Sequence, residues 1–141
     1  MDTIASKSYL AVQHANDEGM RWGHRFYMKS GYMASLPDEV VDRCAEHVSN
    51  APGDCSFSIW AWGRAIARVP DDGTAYTGRD ARFWVAAEAL WDDTNQDEAH
   101  IGWGRAAMAS LMPFTVAGHY VNDVVATLGI PPLASTAASQ K

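Results

Sequence analysis

From His24 to Met33 apolar and polar positions alternate, with aromatic side chains frequent among them, and this two-residue period predicts a strand. Ser35-Leu36-Pro37-Asp38 then supplies a helix start with an early proline, and Val41, Cys44, Ala45 and Val48 recur at helical spacing. An amphipathic helix is expected there, ending near Asn50-Ala51-Pro52-Gly53. Ser56 to Val69 reads as a long second strand, bulged or bent at Gly63. After a turn at Asp71-Asp72-Gly73 the third strand is predicted from Ala81 to Trp91. Asn95-Gln96-Asp97-Glu98 caps a second helix with Ile101, Met108, Leu111 and Met112 on its buried side and Pro113 as its stop, and Gly118 to Val124 is the last strand.

Strand, helix, strand, strand, helix, strand is the order of an α+β, ferredoxin-like (βαββαβ) domain, an antiparallel sheet with both helices on one face. Alternation then sorts the strand residues. Phe83, Val85, Ala87 and Ala89 belong to the helix side, and Arg82, Trp84, Ala86 and Glu88 to the other. On the second strand Phe57, Ile59 and Ala61 oppose Ser58, Trp60, Trp62 and Arg64. Three indoles thus collect on the face without helices. An uncovered apolar patch of several hundred Å2 marks a binding surface, so a second copy of the chain, another protein or a ligand is expected to cover it. A homodimer through or around this face is the expected assembly.

Composition narrows the class. The chain has 141 residues, 48% of them hydrophobic, which suits one soluble domain. Residues 1–23 read as an N-terminal arm, 24–128 as the domain, and 129–141 as a flexible tail that begins at Gly129-Ile130-Pro131-Pro132. A net charge of −6 excludes a nucleic-acid surface, which needs clustered Lys and Arg. No leader pattern and no membrane-length apolar run is present, so a cytoplasmic location is expected. Cys44 and Cys55 are read as reduced structural thiols. His14, His24, His47 and His100 show no metal-ligand spacing, so no metal is expected.

Several stretches carry a family likeness. These are Arg25-Phe26-Tyr27-Met28-Lys29-Ser30-Gly31-Tyr32, Leu36-Pro37-Asp38-Glu39, Gly63-Arg64-Ala65-Ile66-Ala67-Arg68-Val69, Arg79-Asp80-Ala81-Arg82 through Trp91-Asp92-Asp93, Glu98-Ala99-His100-Ile101-Gly102-Trp103-Gly104-Arg105, and Gly118-His119-Tyr120-Val121-Asn122. Together they resemble the C-terminal substrate-binding region of the flavin-linked oxidases of the berberine bridge enzyme family, over roughly residues 20 to 124. The resemblance implies that the helix-free face lies over a flavin ring and touches substrate. A chain of this length leaves no room for the large N-terminal flavin domain of that family, so the expectation is a stand-alone substrate domain with no cofactor of its own. Departures from the pattern bear on chemistry: Gly78 stands where the family often has His, and Ala86 where plant members carry a catalytic carboxylate. Glu88 is the nearest substitute, and Asp123 takes the place of a Tyr or His.

The expected activity follows from these residues. It is a cofactor-independent cyclase or isomerase of bacterial secondary metabolism, folding a polyketide- or terpenoid-like intermediate against an aromatic wall. Glu88 and Asp123 would transfer a proton, their pKa raised by apolar surroundings, and Arg64 with Tyr27 or Tyr120 would stabilise negative charge. Trp60, Trp62, Trp84, Tyr27, His119 and Tyr120 would line the substrate. Two alternatives stand beside this one. The chain could be a substrate-binding subunit completing a separately encoded FAD-linked oxidoreductase, or a non-catalytic carrier of a hydrophobic metabolite. An ion pair of Glu88 with Arg64 or Arg82 is the purely structural reading of that carboxylate.

Overall fold

Three antiparallel strands form the sheet of the computed structural model: β1 (Arg25–Met33), β2 (Asp54–Ala61) and β3 (Phe83–Trp91), side by side in the order β1-β3-β2. The structure describes residues 5–15, 17, 23–70, 72–74, 76 and 78–116. Register is fixed along the whole of β3. Met28 and Ser56 flank Glu88, and Tyr32 and Trp60 flank Trp84. Side chains alternate across a strand, so this register puts Val85, Ala87 and Ala89 on one face and Trp84, Ala86 and Glu88 on the other.

Helices α2 (Asp38–Ser49) and α3 (Asp97–Leu111) cover the first face. Acidic residues at both helix starts, Asp38 and Glu39 in one and Asp97 and Glu98 in the other, suit the positive end of the helix dipole. The core between helices and sheet holds Met33, Cys55, Val85, Ala87, Ala89, Val40, Cys44, Trp103, Ala107, Met108 and Leu111. Fully burying a side chain such as Leu111 contributes about 2 kcal/mol. α3 lies close on β1 because Gly104 has no side chain: a Cβ there would stand 2.8 Å from Cδ1 of Tyr27. The two helices are tied by polar contacts, Arg43 Nη1 donating to Ser110 O at 2.7 Å and Trp103 Nε1 donating to His47 O at 2.9 Å.

These contacts explain where the helix faces differ from expectation. Val40 and Cys44 are buried on α2, whereas Val41 and Val48 are exposed. Arg43 and His47 both reach Ser110, and that turns the helix one residue away from the stripe its valines suggest. On α3, His100, Trp103 and Ala107 join Met108 and Leu111 in the core, Ile101 is half-buried, and Met112 is exposed because the chain tightens into a 3-10 turn over Met112–Phe114. Neither N-terminus is capped by the expected side chain. Pro37 and Gln96 occupy the cap positions without a side-chain bond, and Asp93 instead caps the 3-10 turn Thr94–Gln96 ahead of α3.

Two further corrections concern chain path. β2 ends at Ala61 and does not run to Val69, because Gly63 at φ +142° and Arg64 at φ +48° turn the backbone into a 3-10 turn at Ile66–Arg68. In the N-terminal segment a short helix, α1 (Tyr9–Gln13), is present with every residue exposed. After α3 the chain returns to the outer edge of β1, where Thr115 bridges to Met33 and Val116 N–H donates to Tyr32 O at 2.8 Å. The expected last strand, Gly118 to Val124, lies outside the described residues. Among the described residues no helix is long and apolar enough to cross a membrane.

Candidate functional site

Opposite the helices, the sheet presents an aromatic end and a polar end. At the aromatic end Trp60 and Trp84 sit directly across from each other on β2 and β3, ring centroids 6.3 Å apart and nearly perpendicular. Trp62, just past β2, keeps the pairing through its N–H to Arg82 O and places its ring 6.2 Å from Trp84. All three indoles are therefore neighbours. Their exposure differs sharply: Trp60 is 61% exposed, Trp62 is half-buried, and Trp84 is 8% exposed.

What buries Trp84 and Trp62 is the chain's own connection between β2 and β3. Tyr76 stacks on Trp62 with planes 6° apart, and Tyr32, fully buried on β1, meets Trp62 edge-on and donates from its hydroxyl to that of Tyr76 at 3.1 Å. Arg79 holds this connection in place. Its guanidinium bonds Ile66 O and Thr74 Oγ1 and lies 5.0 Å from the Tyr76 ring centre. Gly78 is part of the same device, because its φ of +82° favours glycine and a Cβ there would fall 2.5 Å from Cε2 of Tyr32. A side chain at this position, such as the histidine of the resembled pattern, would collide with the ring that this chain places there.

Two donors in this cluster, Trp62 Nε1 and Arg79 Nε, are buried with no acceptor among the described residues. Such groups cost free energy and mark a place under strain or poised for a partner. The loop seals both from solvent, so it is Trp60 that offers its ring to a visitor.

The residues proposed for catalysis are spread apart. Glu88 is half-buried on the open face between Met28 and Ser56 and makes no hydrogen bond or ion pair among the described residues. It stands four positions from Trp84 on the same strand, roughly 13 Å away. Arg64 is exposed in the turn beyond β2, at the aromatic end, and is not paired with Glu88. Arg82 is exposed at that same end. The structure thus shows no Glu88 ion pair with either arginine. Tyr27 takes the other face altogether: it pairs with Ala89, is 5% exposed and packs under Gly104 in the helix-side core. Its alternation with Phe26 and Met28 dictates that side, so it does not line the open face. His119, Tyr120 and Asp123 lie outside the described residues.

Sequence reasoning missed Tyr32, Tyr76 and Arg79 as parts of this face. For Tyr32 the signal was available, since it shares the alternation of Met28 and Ser30. Tyr76 and Arg79 sit in an irregular connection where no period points to a face.

A dinucleotide needs a cradle for its diphosphate, built from backbone N–H groups of a glycine-rich turn or from free cations. The described residues do not build one. Arg25 is bound to Asp97, Arg43 to Glu39 and Ser110, and Arg79 to Ile66 and Thr74; Arg64 and Arg82 are exposed at the aromatic end without a glycine-rich turn between them, and Ala86 and serines fill the strip between the ends. A flat ring could be approached by Trp60, and among the described residues no backbone cradle for a diphosphate accompanies it.

Comparison with known proteins places the chain. No family model matches it. An uncharacterized FAD-linked oxidoreductase, YvdP, of Bacillus subtilis strain 168 is 30% identical over 112 residues, covering 76% of this chain and 23% of that protein. Among solved structures, GilR in complex with pregilvocarcin, an oxidoreductase that catalyses the terminal step of gilvocarcin biosynthesis, matches with TM-score 0.65 and 27% identity over 74% of this chain and 24% of its own. Berberine bridge enzyme from Eschscholzia californica matches with TM-score 0.69 and 20% identity, covering 84% and 25%, a likeness of fold. The chain spans about a quarter of the length of the relatives it matches. It is similar to one segment of FAD-linked oxidoreductases, and its α+β fold is that of the corresponding part of berberine bridge-like enzymes.

Proposed function

We propose that these residues form the substrate-side wall of an FAD-linked oxidoreductase of secondary metabolism, acting against a flavin-bearing unit beyond these 141 residues. The observation that carries this reading is the helix-free face, with Trp60 left 61% exposed beside a rigid Trp84–Trp62–Tyr76 stack, in a chain whose relatives are FAD-linked. The flavin would supply hydride acceptance. This chain would stack a flat organic substrate on Trp60, exclude water with Trp84 and Met28, and offer Glu88 as a carboxylate at the far end of the face. A substrate long enough to reach from Trp60 to Glu88 would meet an aromatic surface at one end and a proton acceptor at the other. Thr115 and Val116, on the edge of β1, support the ferredoxin-like order as the finer reading of the fold.

The cofactor-independent cyclase ranks second. It needs a carboxylate and a cation converging on one pocket, and Glu88 and Arg64 stand at opposite ends of the face. A homodimer across the open face and a metabolite carrier are the other outcomes.

The experiment is to express the tagged chain in its native host, purify it, and record absorbance between about 350 and 500 nm together with the mass of the assembly. Flavin bands near one flavin per chain support the reading. A colourless assembly that turns over substrate favours the cyclase, and a colourless dimer without turnover favours carriage.

A further inference from the structure

A cavity separate from the open face lies where β1 begins. It has a volume of about 400 Å3 and is lined by Gly23, His24, Arg25, Phe26, Tyr27, Trp91, Ile101 and Arg105, between the first residues of β1, the last of β3 and the outward side of α3. The size suits a small organic molecule. Two features of its chemistry stand out against a chain of net charge −6.

First, the charges that line it are positive. Arg25 binds Asp97 through two bonds of 2.5 Å, and His24 Nδ1 bonds Asp92 Oδ1 at 2.5 Å, yet neither carboxylate is among the lining residues. Arg25 therefore turns its guanidinium toward the cavity, while the carboxylate it is paired with stays outside the lining. Arg105 adds a guanidinium that is exposed and makes no hydrogen bond or ion pair among the described residues. A guanidinium fork of this kind matches the two oxygens of a carboxylate.

Second, the site is already rigid. Asp97 fixes Arg25 and also accepts from Trp91 Nε1 at 2.8 Å, so guanidinium and indole are held by one carboxylate, with Arg25 6.0 Å from the ring centre. Trp91 is in turn backed by His100, stacked at 4.8 Å and 10°. A ligand entering here meets an ordered aromatic and apolar wall of Trp91, Tyr27 and Ile101, and loses little to reorganisation.

We infer that this cavity is a second binding site, selective for a small aromatic carboxylate, with Arg105 as the residue that pairs with its charge. Trp91 and Ile101 take the ring, and the preformed Arg25–Asp97–Trp91 unit sets its orientation. The site stands apart from the substrate-side wall proposed above, since that wall is built by Trp60 and Trp84 at the other end of the sheet, on the opposite face.

The test uses 2-naphthoate as probe and isothermal titration calorimetry on the purified chain, with the neutral 2-naphthalenemethanol as comparison. Saturable binding of one naphthoate per chain is expected, at least about tenfold tighter than the neutral compound, which corresponds to ~1.4 kcal/mol. Arg105→Ala should weaken naphthoate about tenfold and leave the neutral compound unchanged. Trp60→Ala, which removes the stacking ring of the open face, should leave the preference for naphthoate over the neutral compound unchanged. Because Arg105 and Trp60 are exposed, both variants are expected to fold, which unchanged circular dichroism would verify. Absence of saturable binding overturns the inference. So does equal affinity for the two probes, or a loss caused by Trp60→Ala in place of Arg105→Ala, which would put the ligand on the open face.

Discussion

Gly78 is where a single residue decides most. Its positive φ and the 2.5 Å approach of a would-be Cβ to the buried Tyr32 ring combine backbone strain with overpacking. Gly78→Ala should lower stability by about 3 kcal/mol, read as a shift in the urea midpoint with unchanged slope. Asp97 makes a different prediction. The guanidinium of Arg25, bonded to its carboxylate, holds it below the usual aspartate range, with a smaller contribution from the Trp91 indole N–H. A folded-state pKa lower than the unfolded one means stability that is present above the unfolded value and is lost as pH falls through the folded value. Acid unfolding below about pH 4 should accordingly be shallower in Asp97→Asn than in the parent protein. Burial pushes the thiols of Cys44 and Cys55 up, a backbone hydrogen bond partly offsetting this at Cys55. Both should react with a thiol reagent much more slowly in the native protein than in urea. The effects at Gly78 and Asp97 were not visible in the sequence, because each depends on what a distant segment places beside the residue, whereas Cys44 already stood on the apolar spacing of its helix.

At the scale of elements the sequence was more informative. Period and register information is local, and the ends of β1, β3 and both long helices fell within two residues of their predicted positions. The face assignment of β3 followed from alternation alone, and so did the placing of Trp60 and Trp84 on one face; that they stand directly opposite each other is set by the strand register. Failures came where a backbone turn or a long-range contact overrides local pattern. Gly63 and Arg64 end β2 early, Ser110 draws Arg43 and His47 toward α3, and the connection from Trp62 to Arg82 folds back over indoles expected to lie open. That connection depends on Arg79, whose guanidinium bonds Ile66 and Thr74 and lies over Tyr76. Arg79→Ala should free it, costing about 2 kcal/mol and shifting tryptophan emission to the red as Trp84 gains water. Trp60→Ala, by contrast, should change stability by less than about 0.5 kcal/mol, because that ring is mostly in solvent.

Among the described residues, both long helices spend their apolar sides on one face of the sheet, and the other face is closed by the connection between β2 and β3 at one end. The remaining strip, from Trp60 past Ser58 and Ser56 to Glu88, has the make-up of a surface that meets something: one exposed indole, small hydroxyls and a carboxylate that has no partner among the described residues. What the sequence alone left undecided was the position of the proposed catalytic groups. They come from different segments, and only the fold shows that Glu88 and Arg64 are far apart and that Tyr27 faces the helices. This separation moves the balance from a self-contained cyclase toward a wall that works with a flavin-bearing unit. The most direct measurement is the accessibility of Trp60 in the native, purified assembly. It is obtained as the difference in acrylamide quenching of tryptophan emission between the parent protein and Trp60→Phe. The account predicts a Trp60 component shielded from acrylamide and quenched by flavin, recovering when the flavin-bearing unit is removed. A Trp60 component as open to acrylamide in the native assembly as in the isolated chain would contradict it.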